Sequence, residues 1–416
     1  MSTSNSSGHL LGRVSYQPAF DGLRAICITA VIAFHVGSWD RPWLNDLTNR
    51  GWVGVDVFFV LSGFLITWIV VAELEHSGTF NLPRFYFRRA LRLQPAFFSG
   101  LIVFSLLLFF FHRAHFFSVV DNLPYFLTYT LNFALAFGLC ALPPYGVAWS
   151  LCIEEQFYLC WPWTLRKFGT RRCLRIALAI ATIALIHRCL VFARLNPAHL
   201  TTPSQRSIDR VYYGFDTRID TILIGCAAAL ALSEPIAQAL FRRLRDWRWF
   251  SASACGLAIV AVAWATAGST INGCGWRAAT LGFTLIGAAT ALFVIGLFLQ
   301  PRSWPARILS CSPLVFVGKI SYGIYLFHDP VWRMVAELMH LRSEAVGTVP
   351  QEVIAIVAVW AISVGVAWLH YRFVETRFLA LRERHEDAIV RPAASTAVVD
   401  SVASPIQLAP APSEVE

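Results

Sequence analysis

Charge is scarce in this sequence. Asp, Glu, Lys and Arg together make up 14% of its 416 residues, against about 25% in an ordinary soluble domain. Acidic residues are the scarcer sign, with Asp+Glu 25 against Lys+Arg 34 and a formal net charge of +9. Hydrophobic residues reach 56%, which excludes a disordered chain, and a soluble domain of this length has too little interior to hide them. A cysteine framework is missing too. The ten cysteines are scattered, with Cys27, Cys152, Cys160 and Cys226 inside apolar runs. No pair has zinc-ligand or redox spacing, so they read as small buried hydrophobes. There is no phosphate loop, zinc signature or nucleophile elbow, and no repeat at a fixed period. The polar start MSTSNSSGHLLGRVSYQPAF lacks the order of a cleaved signal, so the first span is expected to act as the insertion signal. One solvent fits this composition, the bilayer, and the expected fold class is an all-α integral membrane protein.

Ten apolar segments approach the ~20 residues that a crossing needs. They cover 18–38, 52–72, 95–111, 148–165, 174–193, 217–233, 250–267, 277–299, 313–338 and 352–373. An eleventh, 122–139, is interrupted by Asn122, Pro124 and Asn132 and precedes Pro143-Pro144. If it does not cross and the N-terminus is cytoplasmic, the inner loops carry twenty Lys/Arg and the outer loops eight. Letting it cross would move the RKFGTRRCLR loop outside, against the positive-inside pattern. About ten transmembrane helices with both termini inside are therefore expected, with 122–139 re-entrant or lying at the outer surface. Residues 1–17 form a cytoplasmic N-terminal segment, 18–380 the membrane domain, and 385–416 a disordered cytoplasmic tail rich in Ala, Pro, Ser and Val. Basic residues that fall between apolar segments orient a membrane protein and do not indicate nucleic acid.

Ionisable groups inside spans are expensive and mark function. In FDGLRAICITAVIAFHVG, Arg24 and His35 are eleven residues apart, about 16 Å along a helix and almost three full turns, so they share a face. Histidine suits proton transfer near neutrality. Asp56 and Ser62 lie in GWVGVDVFFVLSGFLIT, where the carboxylate needs a partner. RFYFRRALRLQP presents Arg88, Arg89 and Arg92, a candidate fork for phosphates, or else charge that only sets topology. WSLCIEEQFYLCWP brings Glu154 and Glu155 close to the outer end of a span. FDTRIDTILIG holds Asp216, Arg218 and Asp220, which read equally as a local ion pair at a helix start. GKISYGIYLFHDP carries Ser321, Tyr322, Tyr325 and His328, the two tyrosines reading first as interfacial belt residues. No metal is expected, because no carboxylate or cysteine repeats at ligand spacing beside His35 and His328.

In this order the segments FDGLRAICITAVIAFH, GWVGVDVFFVLSGFLIT, FYFRRALRLQPAFF, AWSLCIEEQFYLCWP, FDTRIDTILIGC, KISYGIYLFHDPV and YRFVET resemble the bacterial acyltransferase-3 family. These are integral membrane enzymes that O-acylate surface polysaccharides, lipopolysaccharide O-antigens, nodulation factors and some macrolides. The resemblance covers about residues 16–380. It implies functional roles for Arg24 and His35, an inner arginine motif at Arg89 and Arg92, and a glutamate at Glu154. It further implies an R-x-D segment at Arg218 and Asp220, and an S-Y-x-x-Y-L-x-H segment at Ser321, Tyr325 and His328. Where the family has Glu-x-Pro, this chain has Glu375-Thr376-Arg377. The SGNH hydrolase-like domain of some members is not expected here.

The resemblance implies an acyltransferase of the bacterial inner membrane with no permanently bound cofactor. Acyl-CoA, foremost acetyl-CoA, would be the donor, and a surface carbohydrate or glycolipid the acceptor. The donor's phosphates would meet Arg24, Arg89 and Arg92, with Arg88 beside them. His35 would act as general base or as an acyl-carrying nucleophile, with Glu154 or Asp220 holding its tautomer. The outer segments 112–147 and 194–216 would read the acceptor. A transporter or flippase for a sugar-containing solute is the competing expectation, since buried Arg, His and Asp suit transport as well. A sensor or scaffold is weaker still, for want of an output domain.

Overall fold

The computed structural model describes residues 16–36, 48–197, 203–267, 275–339 and 349–381. The N-terminal segment before Tyr16 and the tail from 385 lie outside the described residues. What is described is helical: α1 (Pro18–Val36), α2 (Val53–Ser77), α3 (Leu82–Phe111), α4 (Arg113–Asp121), α5 (Leu123–Leu127), α6 (Leu131–Ala136), α7 (Ala148–Phe168), α8 (Thr170–Leu195), α9 (Gln205–Tyr213), α10 (Phe215–Ser233), α11 (Pro235–Asp246) and α12 (Phe250–Thr266). A π-helical turn, Ala278–Gly282, leads into α13 (Phe283–Leu299). Then come α14 (Trp304–Leu309), α15 (Ser312–Lys319), α16 (Ser321–Leu338) and α17 (Val349–His370), which closes on a second π-helical turn, Tyr371–Glu375.

Among the described residues six helices are long and apolar enough to cross a bilayer: Pro18–Val36, Val53–Ser77, Leu82–Phe111, Thr170–Leu195, Ala278–Leu299 and Val353–Leu381. The α10–α11 pair, bent by 95°, makes a seventh if it is one broken span, and α12 is apolar but shorter. The remaining expected spans, 148–165 and 313–338, are helical as well, in α7 and in α15 with α16. They fall short as apolar spans where they carry ionisable side chains, Glu154 and Glu155 on α7 and Asp329, Arg333 and Glu337 on α16. Large apolar side chains such as Phe110, Phe111, Ile183 and Ile259 stand exposed on the long helices, as a lipid-facing surface requires.

Segment 122–139 breaks into α5 and α6, of 5 and 6 residues, with Tyr129 between them at φ 53°. Neither is long enough to span. The pair is tied to α7 by Gln156, whose Nε2 donates to the Tyr129 carbonyl (2.7 Å) and to Asn132 Oδ1 (2.9 Å).

Close helix approach holds the centre together. A Cβ on Gly63 of α2 would lie 2.0 Å from the Ile222 carbonyl oxygen, and one on Gly225 of α10 2.1 Å from that of Val60. Glycine at both positions lets the two backbones touch, the small-residue packing that serves helices in lipid, where no hydrophobic force draws them together.

Candidate active site

Two cavities occupy opposite ends of the helix bundle. α1 serves both, giving Arg24 from its first turns to one and His35 from its last turn to the other. The first cavity, of about 120 Å3, is lined by Arg24, Arg89, Arg92, Lys319, Glu154 and Tyr158 among others. It continues into a wider one of about 520 Å3 that shares Arg24, Ser62, Arg89, Arg92, Lys319 and Glu375. α3 projects Arg89 and Arg92, three residues apart, from one face. Arg89 lies 3.8 Å above the Tyr158 ring. Arg24 Nη1 donates to Asp21 Oδ1 (3.1 Å), and the Tyr16 hydroxyl donates to the other oxygen of Asp21 (2.6 Å). Ahead of the helix, burial and the Asp21 carboxylate push Tyr16 up to about 12, so its hydroxyl keeps the proton that it donates. Glu154 Oε1 accepts from Ser62 Oγ at 2.7 Å. The π-helical turn after α17 places Glu375 in the same lining, where Oε1 lies 3.2 Å from His370 Nδ1. Four cations around a cavity with two carboxylates make an anion-binding mouth, and guanidinium forks match phosphate oxygens.

The second cavity, of about 300 Å3, is lined by His35, Trp149, Tyr212, Asp329 and Arg333 among others. Val55 and Tyr325 line both cavities and stand between them. The Tyr325 hydroxyl donates to the Val147 carbonyl (3.0 Å) and meets Ser150 Oγ at 2.7 Å.

Partners fix the tautomers of the two histidines. His328 Nδ1 lies 2.7 Å from the Tyr325 carbonyl oxygen, which only accepts, so in the neutral ring Nδ1 holds the hydrogen and Nε2 is bare. His35 Nδ1 faces that bare nitrogen at 3.3 Å and the Val31 carbonyl at 2.9 Å. Both are acceptors, so Nδ1 of His35 carries the hydrogen and its Nε2 is left as a free base.

The expected orienting carboxylate is therefore corrected: a histidine and a main-chain carbonyl hold His35. Glu154 lies in the arginine-lined cavity on Ser62. Asp220, fully buried, receives Arg188 Nη1 on both oxygens (2.9 and 3.0 Å) and the Thr284 hydroxyl (2.6 Å).

The local pair that is the other reading of the start of 217–233 is not formed. Asp216 joins Arg210 and His187, Arg218 joins Asp56 of α2 at 2.9 Å, and Asp220 joins Arg188 of α8. Arg218 also lies 3.7 Å from the Phe283 ring centroid. Asp56, Arg218 and Asp220 line neither cavity. They are placed as buried ion pairs that join helices.

Ser62 and Ser321 line the arginine-lined cavity, whereas Arg88 is absent from the lining of both. His328 sits fully buried behind His35, their ring centroids 4.9 Å apart.

Several residues here were not singled out from the sequence. Lys319 and Tyr158 each lie inside a quoted motif, so position gave a signal. Asp329 follows His328 directly, and Arg333, paired with it at 3.2 Å, comes one turn later. Arg188, fully buried inside α8, was legible as an arginine within an apolar span.

A family model described as an acyltransferase domain, Acyl_transf_3, matches residues 17–372. The chain belongs to the acyltransferase-3 family. It is similar to a peptidoglycan O-acetyltransferase, OatA, of Listeria monocytogenes, at 31% identity over 87% of this chain and 55% of the relative. It is similar to the O-acetyltransferase OatA of Staphylococcus aureus at 30% identity over 87% of this chain and 57% of the relative. A third relative is the putative peptidoglycan O-acetyltransferase YrhL of Bacillus subtilis, at 32% identity over 76% and 48%. The chain spans about half the length of these relatives. No solved structure matches it.

Proposed function

We propose that this chain is a multi-pass membrane O-acetyltransferase that carries an acetyl group from acyl-CoA on one side of the bilayer to a sugar hydroxyl on the other. The observation that carries the reading is the pair of cavities that meet at Tyr325 and Val55, one rimmed by cations and the other holding a bare imidazole nitrogen. The arginine-lined end faces the cytoplasm in a ten-span topology with both termini inside, as the loop charges favour. Arg24, Arg89, Arg92 and Lys319 bind the donor's phosphates, and the thioester reaches between Val55 and Tyr325 toward His35. The acceptor hydroxyl gives its proton to His35 Nε2 as its oxygen bonds to the carbonyl carbon. The carbon–sulfur bond then breaks and the thiolate leaves, taking the proton back from the imidazolium. His328 and the Val31 carbonyl hold the ring so that Nε2 is the nitrogen presented.

The family acts on several acceptors, and the relatives named for peptidoglycan direct the choice to a cell-wall glycan in place of lipopolysaccharide. A transporter draws no support from relatives named for acetyl transfer. The test is labelled acetyl-CoA with isolated membranes, reading ester-linked label in extracted glycan. Label that appears with wild type and disappears in His35→Ala at matched protein level is the expected result. Label that persists in His35→Ala removes the base.

A further inference from the structure

We infer that α9 and the aromatic wall beside it form the acceptor's sugar subsite, with the Asp209 carboxylate as the group that reads a sugar hydroxyl. The inference deepens the acetyltransferase reading by naming what the His35 cavity holds.

Four observations carry it. Trp52, Trp149, Tyr212 and Tyr213 line the cavity that holds His35. Their rings interlock, edge to face or tilted, with Trp149 4.9 Å from Tyr212 and 5.2 Å from Tyr213, and Trp52 6.4 Å from Tyr212. The two tryptophans are buried and back Tyr212 and Tyr213, which stay half-buried in the cavity. A pyranose has an apolar face of electropositive C–H bonds, which suits the negative face of an aromatic ring. Arg218 braces the wall from behind, its guanidinium 5.1 Å from the Tyr212 ring and 6.0 Å from that of Trp149, so the wall keeps its shape without the sugar.

Polar readers stand beside the wall, both from α9. Gln205 Nε2 donates to Asp209 Oδ1 at 2.8 Å, and both residues line the cavity. The hydrogen bond fixes the carboxylate, which can only accept and therefore selects a donor such as a sugar hydroxyl or an amide N–H. An apolar platform with a few fixed polar groups is the usual build of a small-ligand site, and about 300 Å3 lies at the lower end of the size range for such sites. It suits a sugar unit of a glycan. With the ring on the wall and one donor on Asp209, the sugar is oriented in the cavity that His35 lines, so the choice of acceptor belongs to α9.

The test measures binding of a soluble peptidoglycan disaccharide to the purified full chain in detergent, followed by quenching of tryptophan fluorescence. Asp209→Asn is expected to weaken binding about tenfold, since the sugar's hydrogen bond loses its charged acceptor, and Gln205→Ala, at an exposed position, by a smaller factor. Acetyl-CoA affinity, measured on the same preparations, should stay unchanged and so report an intact fold. In transfer assays Asp209→Asn should raise the acceptor KM with little change in kcat. Disaccharide that fails to bind wild type, or binds Asp209→Asn and Gln205→Ala as tightly as wild type, overturns the subsite. Disaccharide that binds through Asp209 while wild type transfers no acetyl group leaves the subsite standing and overturns the transferase reading instead.

Discussion

The arginine-lined cavity gathers four cations and two carboxylates from several elements, whereas the histidine-lined cavity sets its central residue with neutral partners. His35 is held by a carbonyl and a second imidazole, with the Asp329–Arg333 ion pair at the edge of the same cavity. The difference follows from the two tasks. Binding an anion needs several full charges that stay solvated until the ligand replaces their water. Abstracting a proton needs one bare nitrogen with a fixed tautomer, and neutral acceptors set the tautomer without adding a charge inside the bundle. The pairs Asp56–Arg218 and Arg188–Asp220 are buried and line neither cavity.

The largest effect should come from His35→Ala. Loss of a general base lowers transfer by about 10²–10⁴, while acetyl-CoA affinity at the opposite cavity stays at its wild-type value, a separation that ligand binding and turnover assays on one preparation will show. Arg188→Ala should come next, acting on stability. It strands the Asp220 carboxylate in the interior, at a cost of about 3–5 kcal/mol, read as a lower Tm or lost yield in detergent. An unchanged Tm would mean that the pair does not hold α8 to α10.

Arg89→Ala and Arg92→Ala should each raise the acyl-CoA KM about tenfold, the worth of one hydrogen bond to a charged group, with acceptor KM unmoved. A rise in acceptor KM instead would merge the two cavities into one site. The smallest effect belongs to Tyr325→Phe, at the junction. Its hydroxyl bonds cost about 1 kcal/mol to lose, a several-fold fall in kcat that steady-state transfer rates will resolve.

Much of this was legible in the sequence. The period of eleven residues placed Arg24 and His35 on one face of α1, and the structure puts them at the two ends of the path. The polar breaks at Asn122, Pro124 and Asn132 pointed to a segment that does not cross, and the chain there folds as α5 and α6. What the sequence could not show is pairing between helices. Asp216, Arg218 and Asp220 are neighbours along the chain, yet Arg218 turns to Asp56 of α2 while Asp216 and Asp220, four residues apart on one face, meet His187 and Arg188 of α8, because successive side chains leave a helix about 100° apart. Glu154 read as a partner for His35 because both fall in family motifs, but α7 turns Glu154 to Ser62 in the arginine-lined cavity.

The most direct measurement uses sealed membrane vesicles of known orientation, with labelled acetyl-CoA on one side and glycan on the other. The account predicts label in the glycan only when acetyl-CoA is on the Arg89 and Arg92 side and glycan on the His35 side. Transfer with donor and acceptor on the same side, and none across the membrane, would contradict it.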